Sequence, residues 1–204
     1  MITSRFLRAI ALSSAVLFGS ANAAADAPKD QLKTTIDTIL LVLSDQSLDR
    51  EAKREKITGV ISARFNYEGM SQRTLAVNWK KSSQDQRKRF VDLFAQLLQE
   101  SYLGRIEAYT NEKVEFASEK VKDDRAIVDT FIVTSSVDIP ISYKLEKKGN
   151  EWLVYDVVIE EVSLVRSYSS TYKDIVMKSG MDGLLSDMEA KLAALRSKAT
   201  EKAS

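Results

Sequence analysis

The sequence predicts an α+β domain in which helices cover one face of a curved antiparallel sheet. Three observations carry that class. Apolar residues recur at helical spacing up to about residue 109, alternate at strand spacing between residues 114 and 159, and return to helical spacing after Ser163. Lys148-Gly149-Asn150 is a turn signal that joins two of the alternating runs as an antiparallel hairpin. No internal repeat, low-complexity tract or Pro/Gly/Ser-rich linker divides the chain. Helices first, sheet second and helices last therefore belong to one domain.

The N-terminus stands apart from that domain. Arg5 and Arg8 precede an apolar stretch at residues 9–18, and Ala21-Asn22-Ala23 follows as a small-x-small site. These are the three parts of a secretory signal peptide, residues 1–23, with cleavage expected near Ala23. A stretch of about ten apolar residues is too short for a bilayer core that needs about twenty. The domain is then expected over residues 24–198, with a flexible C-terminal tail at 199–204.

Within it, Leu32, Ile36, Leu40 and Leu43 predict a first amphipathic helix. The charged segment 49–56 leads into Ile57, Val60 and Ile61, a second helix that stops near Phe65-Asn66-Tyr67. Leu75 and Trp79 lie one turn apart and predict one short helix over residues 69–81. Ser83 and Gln86 match a capping box, and the longest helical pattern follows, with Phe90, Phe94, Leu97, Leu98, Tyr102 and Tyr109 on one face.

Val114 and Phe116 then alternate with polar residues, residues 126–134 are β-branched and apolar, and Ile139, Ile141, Tyr143 and Leu145 alternate with Ser142, Lys144 and Glu146. Residues 151–165 are mostly aliphatic or aromatic and pass without Pro or Gly into a helical pattern. A strand that apolar is covered on both faces, or covered on one while the other lines a hydrophobic cavity. Leu164, Tyr168, Tyr172 and Ile175 continue as a helix, Gly180 suits its C-terminal cap, and Leu184, Met188, Leu192 and Leu195 form a closing helix.

Composition removes several chemistries. The chain has no His and no Cys, so it cannot build a Ser-His-Asp triad, a thiol nucleophile or the usual His- or Cys-based zinc site. Its seven glycines are scattered and form no phosphate-cradling loop, and no cofactor is expected. Loss of residues 1–23 removes Arg5 and Arg8 and no acid, leaving 28 basic against 29 acidic side chains and a net charge of −1. That balance argues against nucleic-acid binding. Carboxylates remain as candidate acid/base groups, among them Asp129, Glu160, Glu161 and above all Asp156, which sits mid-strand among apolar neighbours; a buried hydrogen-bond network is the favoured role for it. The basic runs Lys80-Lys81 and Arg87-Lys88-Arg89 read first as solvated faces.

Two blocks carry a family resemblance. The pattern W-x-x-Y-D-V-x-I-E-x-V-S-L-V over residues 152–165 continues into Tyr168, Ile175, Gly180, Gly183 and Leu184. Upstream, Arg64-Phe65-Asn66-Tyr67-Glu68-Gly69-Met70 is followed by Arg73, Leu75, Trp79, Gln86-Arg87, Phe90, Phe94, Leu97, Leu98 and Tyr102. Together they resemble the periplasmic phospholipid-binding (MlaC-like) family of the Mla pathway, for maintenance of lipid asymmetry, also called the toluene-tolerance family. That family often has Gly where Ala76 and Glu161 stand in this sequence.

The resemblance implies a cone like that of nuclear transport factor, with acyl tails inserted between a highly curved sheet and the helices on its concave face. It implies no catalysis. It also implies a periplasmic shuttle, monomeric, whose partners are phospholipid, an outer-membrane lipoprotein complex and the inner-membrane ring-forming lipid-binding component of an ABC transporter. A rigid apolar pocket of about 800 Å³ left empty would cost on the order of 19 kcal/mol, more than a typical net stability of about 5–15 kcal/mol. Such a pocket holds lipid or collapses. The candidate walls are Ile141, Tyr143, Tyr155, Val157 and Ile159 on the sheet, Trp79, Phe94, Leu98 and Tyr102 on the helices, and Val162 and Leu164 at the corner. The competing readings are a small-molecule enzyme of the same cone using Asp156 or Asp129 as base, and a periplasmic chaperone for apolar polypeptide.

Overall fold

A computed structural model describes residues 27–108 and 113–201; the signal peptide expected at residues 1–23 lies outside them. The helical half contains α1 (Pro28–Ser44), α2 (Arg50–Arg64), α3 (Tyr67–Leu75), α4 (Val77–Lys81) and α5 (Gln84–Glu107). Local chemistry sets their starts. The Asp49 carboxylate accepts from the Ala52 N–H, the Asn66 amide oxygen accepts from the Gly69 N–H, and Ser83 and Gln86 close the capping box. The single helix expected over residues 69–81 is broken at Ala76, whose φ of 50° and ψ of −118° lie where glycine is strongly preferred.

The sheet is a meander of β1 (Lys113–Lys122), β2 (Arg125–Val133), β3 (Ile139–Lys148), β4 (Glu151–Ile159) and the short β5 (Val162–Ser163), every neighbour antiparallel. Gly149 supplies the positive φ, 62°, that the tight β3–β4 turn needs. The apolar run at residues 151–165 is not one strand. It folds back at Glu160-Glu161, where both residues have positive φ (48° and 68°), so that Ile159 pairs with Val162 and Val158 with Ser163. That is the signature of a type I′ hairpin, formed here without the usual Gly or Asn. The final helix, α6 (Leu164–Glu201), is interrupted only at Gly180 (φ 71°, ψ −175°), as the cap expected there implied, and it runs beyond residue 198.

A bulge decides which side chains share a face. Lys144 pairs with Asp156, but Leu145 pairs with Val154, which leaves Tyr155 as an extra residue in β4. Strict alternation would set Trp152 and Val154 opposite Val157 and Ile159. The bulge resets the parity and brings all four into the same apolar cluster as Val128, Ile132, Ile141 and Leu145. Leu32 and Ile36 of α1 complete that cluster at one end of the concave face. A second cluster, built on Phe90, Phe94, Leu97, Tyr172, Leu184 and Met188, packs α3, α5 and α6 together.

Two polar clamps join the layers. Arg64 donates to Gln31, Thr35, Glu151 and the Trp152 carbonyl, while the Gln31 side chain accepts from the Trp152 N–H, so α1, α2 and β4 are locked at one corner. At the second, Glu146 is buried and accepts from Asn66, Arg73 at 2.9 Å and Arg125 at 2.7 Å. Alternation alone placed Glu146 among solvent-facing residues. Gly69 is required beside it: a Cβ there would lie 2.8 Å from the Glu146 carboxylate and 2.6 Å from the Asn66 amide.

Burial works against ionisation of Glu146, but the charges of Arg73 and Arg125 and the hydrogen bonds outweigh it and hold its pKa below the ordinary glutamate value. The stabilisation it gives is therefore complete above the ordinary glutamate range and is lost as pH falls through the lowered value. Glu146→Gln is expected to cost about 2–3 kcal/mol at neutral pH, less than a fully buried pair because Arg125 is half-exposed. Urea denaturation followed by circular dichroism at neutral and acidic pH checks this: the two proteins should converge only in acid.

Candidate functional site

α1 covers only part of the concave face. Beyond it lies a cavity of about 290 Å³ between the sheet and the α2, α3 and α5 helices. Its floor is Ile132, Ile139, Ile141, Tyr143, Val157 and Ile159; its roof is Ile61, Phe65, Tyr67, Met70, Leu98, Tyr102 and Ile106, with Leu164 at the corner. The floor follows from register, since Ile132 pairs with Ile139, Ile141 with Ile159 and Tyr143 with Val157. A rigid apolar cavity of this size costs at most about 7 kcal/mol when nothing fills it, at roughly 24 cal/mol per Å³. That is comparable with the whole net stability of many domains.

Among the described residues, three lining residues other than the tyrosines bear polar groups: Gln99, Arg105 and Glu160. Gln99 donates to Ser62 and to the Tyr67 hydroxyl at 3.3 Å. Burial pushes the Tyr67 and Tyr102 phenols above their ordinary pKa, so both stay neutral over the physiological range. Arg105 and Glu160 are exposed and mark the cavity's opening. A partly open cleft with mostly apolar walls and charged side chains at its rim suits an amphiphile.

Of the expected wall residues, the structure brings Leu98, Tyr102, Ile141, Tyr143, Val157, Ile159 and Leu164 together around this cavity. Four others lie away from it. Tyr155 is the bulge residue and turns to the opposite face, where the guanidinium carbons of Arg73 and Arg125 stand 4.2 and 4.8 Å from its ring centroid. Phe94 faces the helical core, its ring 5.5 Å from Phe90 and 5.2 Å from Tyr168. Trp79 follows the break at Ala76 and packs under Arg87, which donates to its carbonyl. Val162 is 57% exposed on the neighbouring strand, paired with Ile159 but outside the cavity lining.

Several lining residues escaped the sequence reading. Continuing the helical step from Leu98 and Tyr102 reaches Ile106, and the apolar alternation of β3 already included Ile139. Phe65, Tyr67 and Met70 stood in the upstream block but signalled only a helix boundary.

The candidate acid/base groups are engaged elsewhere. Asp156 accepts from the Ser163 hydroxyl at 2.8 Å, the Val165 N–H and the Lys144 ammonium at 3.0 Å, and so ties β4 to the first turn of α6. Asp129 accepts from Ser118 and Ser142, hydrogen bonds that lower its pKa. Neither carboxylate lines the cavity.

The sequence model of the MlaC protein family matches residues 33–190, most of the described chain. The chain belongs to the MlaC family. Among curated relatives, the intermembrane phospholipid transport system binding protein MlaC of Haemophilus influenzae is 29% identical over 130 residues, and the match spans 61% of each chain. The toluene tolerance protein ttg2D of Pseudomonas putida is 22% identical over 169 residues, 78% of this chain and 77% of that one. The fold matches the phospholipid-binding protein from Ralstonia solanacearum, solved in complex with a phospholipid, with a TM-score of 0.76 at 23% identity, covering 84% of this chain and 99% of that one. Among the described residues no helix is long and apolar enough to cross a membrane.

Membership in the MlaC family gives its motif residues physical meaning. Phe65, Tyr67 and Met70 form part of the cavity roof, while Arg64, Asn66 and Arg73 anchor that roof to the sheet. Ala76 and Glu161, where the resemblance led us to expect glycine, both have positive φ. Positive-φ backbone costs an L-residue roughly 1–3 kcal/mol, so the chain holds local strain at both positions.

Asp156→Asn tests the structural role of that carboxylate. Asn retains an acceptor but loses the charge that faces Lys144, and the expected cost is about 1–3 kcal/mol of stability. Thermal melting should report the loss, while bound-ligand content per folded molecule should stay at the parent level.

Proposed function

We propose that the protein is a non-enzymatic periplasmic carrier that takes up a phospholipid, holds its acyl tails in the cavity between sheet and helices, and passes it between membrane-bound partners. The observation that carries this reading is the cavity, mostly apolar in its walls and with its described charged side chains at the rim, in a chain of the MlaC family. The roles named for the relatives, intermembrane phospholipid transport and phospholipid binding, support it. The partners implied are an outer-membrane lipoprotein complex on one side and the ring-forming lipid-binding component of an inner-membrane ABC transporter on the other, visited by a monomer.

Apolarity also explains how a carrier works without chemistry. Two acyl tails of about thirty methylenes need on the order of 24 kcal/mol of shelter from water, at about 0.8 kcal/mol for each. A cavity as apolar as the bilayer supplies that shelter, so transfer is nearly isoenergetic and direction is left to the partners. Scaled from the roughly 150 Å³ that holds one benzene, 290 Å³ takes about a dozen carbons. One tail therefore fills the cavity, and a second needs the helical layer to move away from the sheet. Val162 extends the apolar wall of Ile159 past the opening, where the emerging part of the lipid would meet it.

Organic extraction and mass spectrometry of protein purified from the periplasm should find glycerophospholipid at a substantial fraction of one per chain. Retained peptide would favour a chaperone, and failure to rebind lipid from vesicles after delipidation would remove the carrier reading. Ile159→Glu puts a carboxylate on the cavity floor near the opening, and Val162→Glu puts one beside it. Both variants are expected to stay folded by circular dichroism and to hold several-fold less lipid, because an unpaired charge facing acyl chain costs several kcal/mol while water satisfies it in the unloaded protein. Normal lipid content in folded Val162→Glu would take that residue off the lipid's path.

A further inference from the structure

We infer that Arg105 and Glu160 form a headgroup subsite on the cavity rim, in which Arg105 contacts the lipid phosphate and Glu160 favours a headgroup carrying a positive group beyond it. The inference rests on the carrier reading and adds which lipids the carrier selects. It starts from charge placement. Among the described residues Arg105 and Glu160 are the two charged side chains that line the cavity; they have opposite signs, and both are exposed. A phosphate cannot enter the apolar interior without a large desolvation cost, so the headgroup of a seated lipid must lie at this opening.

Arg105 is also available. The acids nearest to it on α5 are already taken: Glu107 accepts from Arg50 and Arg54, and Glu100 pairs with Arg54 and Arg196. Among the described residues Arg105 forms no ion pair, and its guanidinium carbon lies 5.6 Å from the ring centroid of Tyr102, another cavity residue. The ring orients the guanidinium by a cation–π contact without neutralising it. A guanidinium that stays charged at every physiological pH and presents a fork of donors is well matched to a phosphodiester.

Glu160 discriminates among phospholipids. It sits in the Glu160-Glu161 turn and forms no ion pair among the described residues. An ammonium-bearing headgroup such as ethanolamine would meet it favourably, and the net-anionic glycerol headgroup gains nothing from it and keeps an added like charge nearby. The rim thus fits a zwitterion better than an anion.

The test offers delipidated parent protein, Arg105→Gln, Arg105→Lys and Glu160→Gln vesicles containing phosphatidylethanolamine, phosphatidylglycerol and diacylglycerol, and measures retained lipid by mass spectrometry. Diacylglycerol has the tails without the phosphate and so reports the cavity alone. Arg105→Gln is expected to retain about three- to tenfold less phospholipid relative to diacylglycerol, the range between an exposed and a partly shielded charged contact, and Arg105→Lys to keep part of the difference. Glu160→Gln should raise phosphatidylglycerol relative to phosphatidylethanolamine. An unchanged phospholipid-to-diacylglycerol ratio in Arg105→Gln overturns the phosphate assignment, and an unchanged headgroup ratio in Glu160→Gln overturns the second half. If the parent retains none of the three lipids, the carrier reading itself fails. Calorimetric titration of delipidated protein with inorganic phosphate should show no binding in the micromolar range; tight binding would assign Arg105 to free phosphate and overturn a lipid subsite.

Discussion

The roof of the cavity hangs from the sheet through one buried carboxylate. Glu146 holds Asn66 and Arg73 from the α2–α3 corner and Arg125 from β2, and the corner it fixes carries Phe65, Tyr67 and Met70 over the concave face. A carboxylate removed from water is tolerated only when its oxygens are all satisfied, and here three donors do so. The same arrangement allows no Cβ at residue 69 and gathers two guanidinium groups around the Tyr155 ring. Without this polar tie, a roof and a floor made of apolar side chains would close on each other, because collapse restores the packing contacts that an empty cavity forfeits.

The tie and the cavity divide the work between the two faces of β3 and β4. On one face the alternating Ile141, Tyr143 and Leu145 and the bulge-shifted Val154, Val157 and Ile159 make a continuous apolar surface. On the other, Glu146 and Tyr155 with Arg73 and Arg125 hold the helices, and Asp156 fixes the start of α6 through Ser163 and the Val165 N–H. The acid that sequence marked as the strongest candidate base is thus a helix anchor. It shares a strand with the cavity floor and faces away from it.

How much of this was legible in the sequence depends on the length scale of each signal. Helix boundaries were legible because caps are local: Ser83 with Gln86 at a start and Gly180 at an end each act through a few neighbouring backbone groups. The β3–β4 pairing was legible because a hairpin needs only the short turn at Gly149. Side-chain direction in β4 was not, since Trp152, Leu153, Val154 and Tyr155 are apolar in succession and nothing in them marks Tyr155 as an extra residue. The split of α5 was equally hidden: Phe94 and Leu98 share a helical stripe, and only the position of α6 sends one into the core while the other reaches the cavity. The burial of Glu146 depends on Asn66 and Arg73, more than seventy residues away, and alternation cannot report a contact at that range.

The central claim is that acyl tails lie between the sheet and the α2–α3–α5 layer. Photocrosslinking states it most directly: a phospholipid with a diazirine near the end of one acyl chain is loaded into the protein, irradiated, and the labelled residues are located by peptide mass spectrometry. Labels on Ile141, Tyr143, Val157, Leu98 or Ile106 are the predicted result. Labels confined to the opposite face of the sheet, around Tyr155 and Phe131, or spread evenly over the surface, would contradict it.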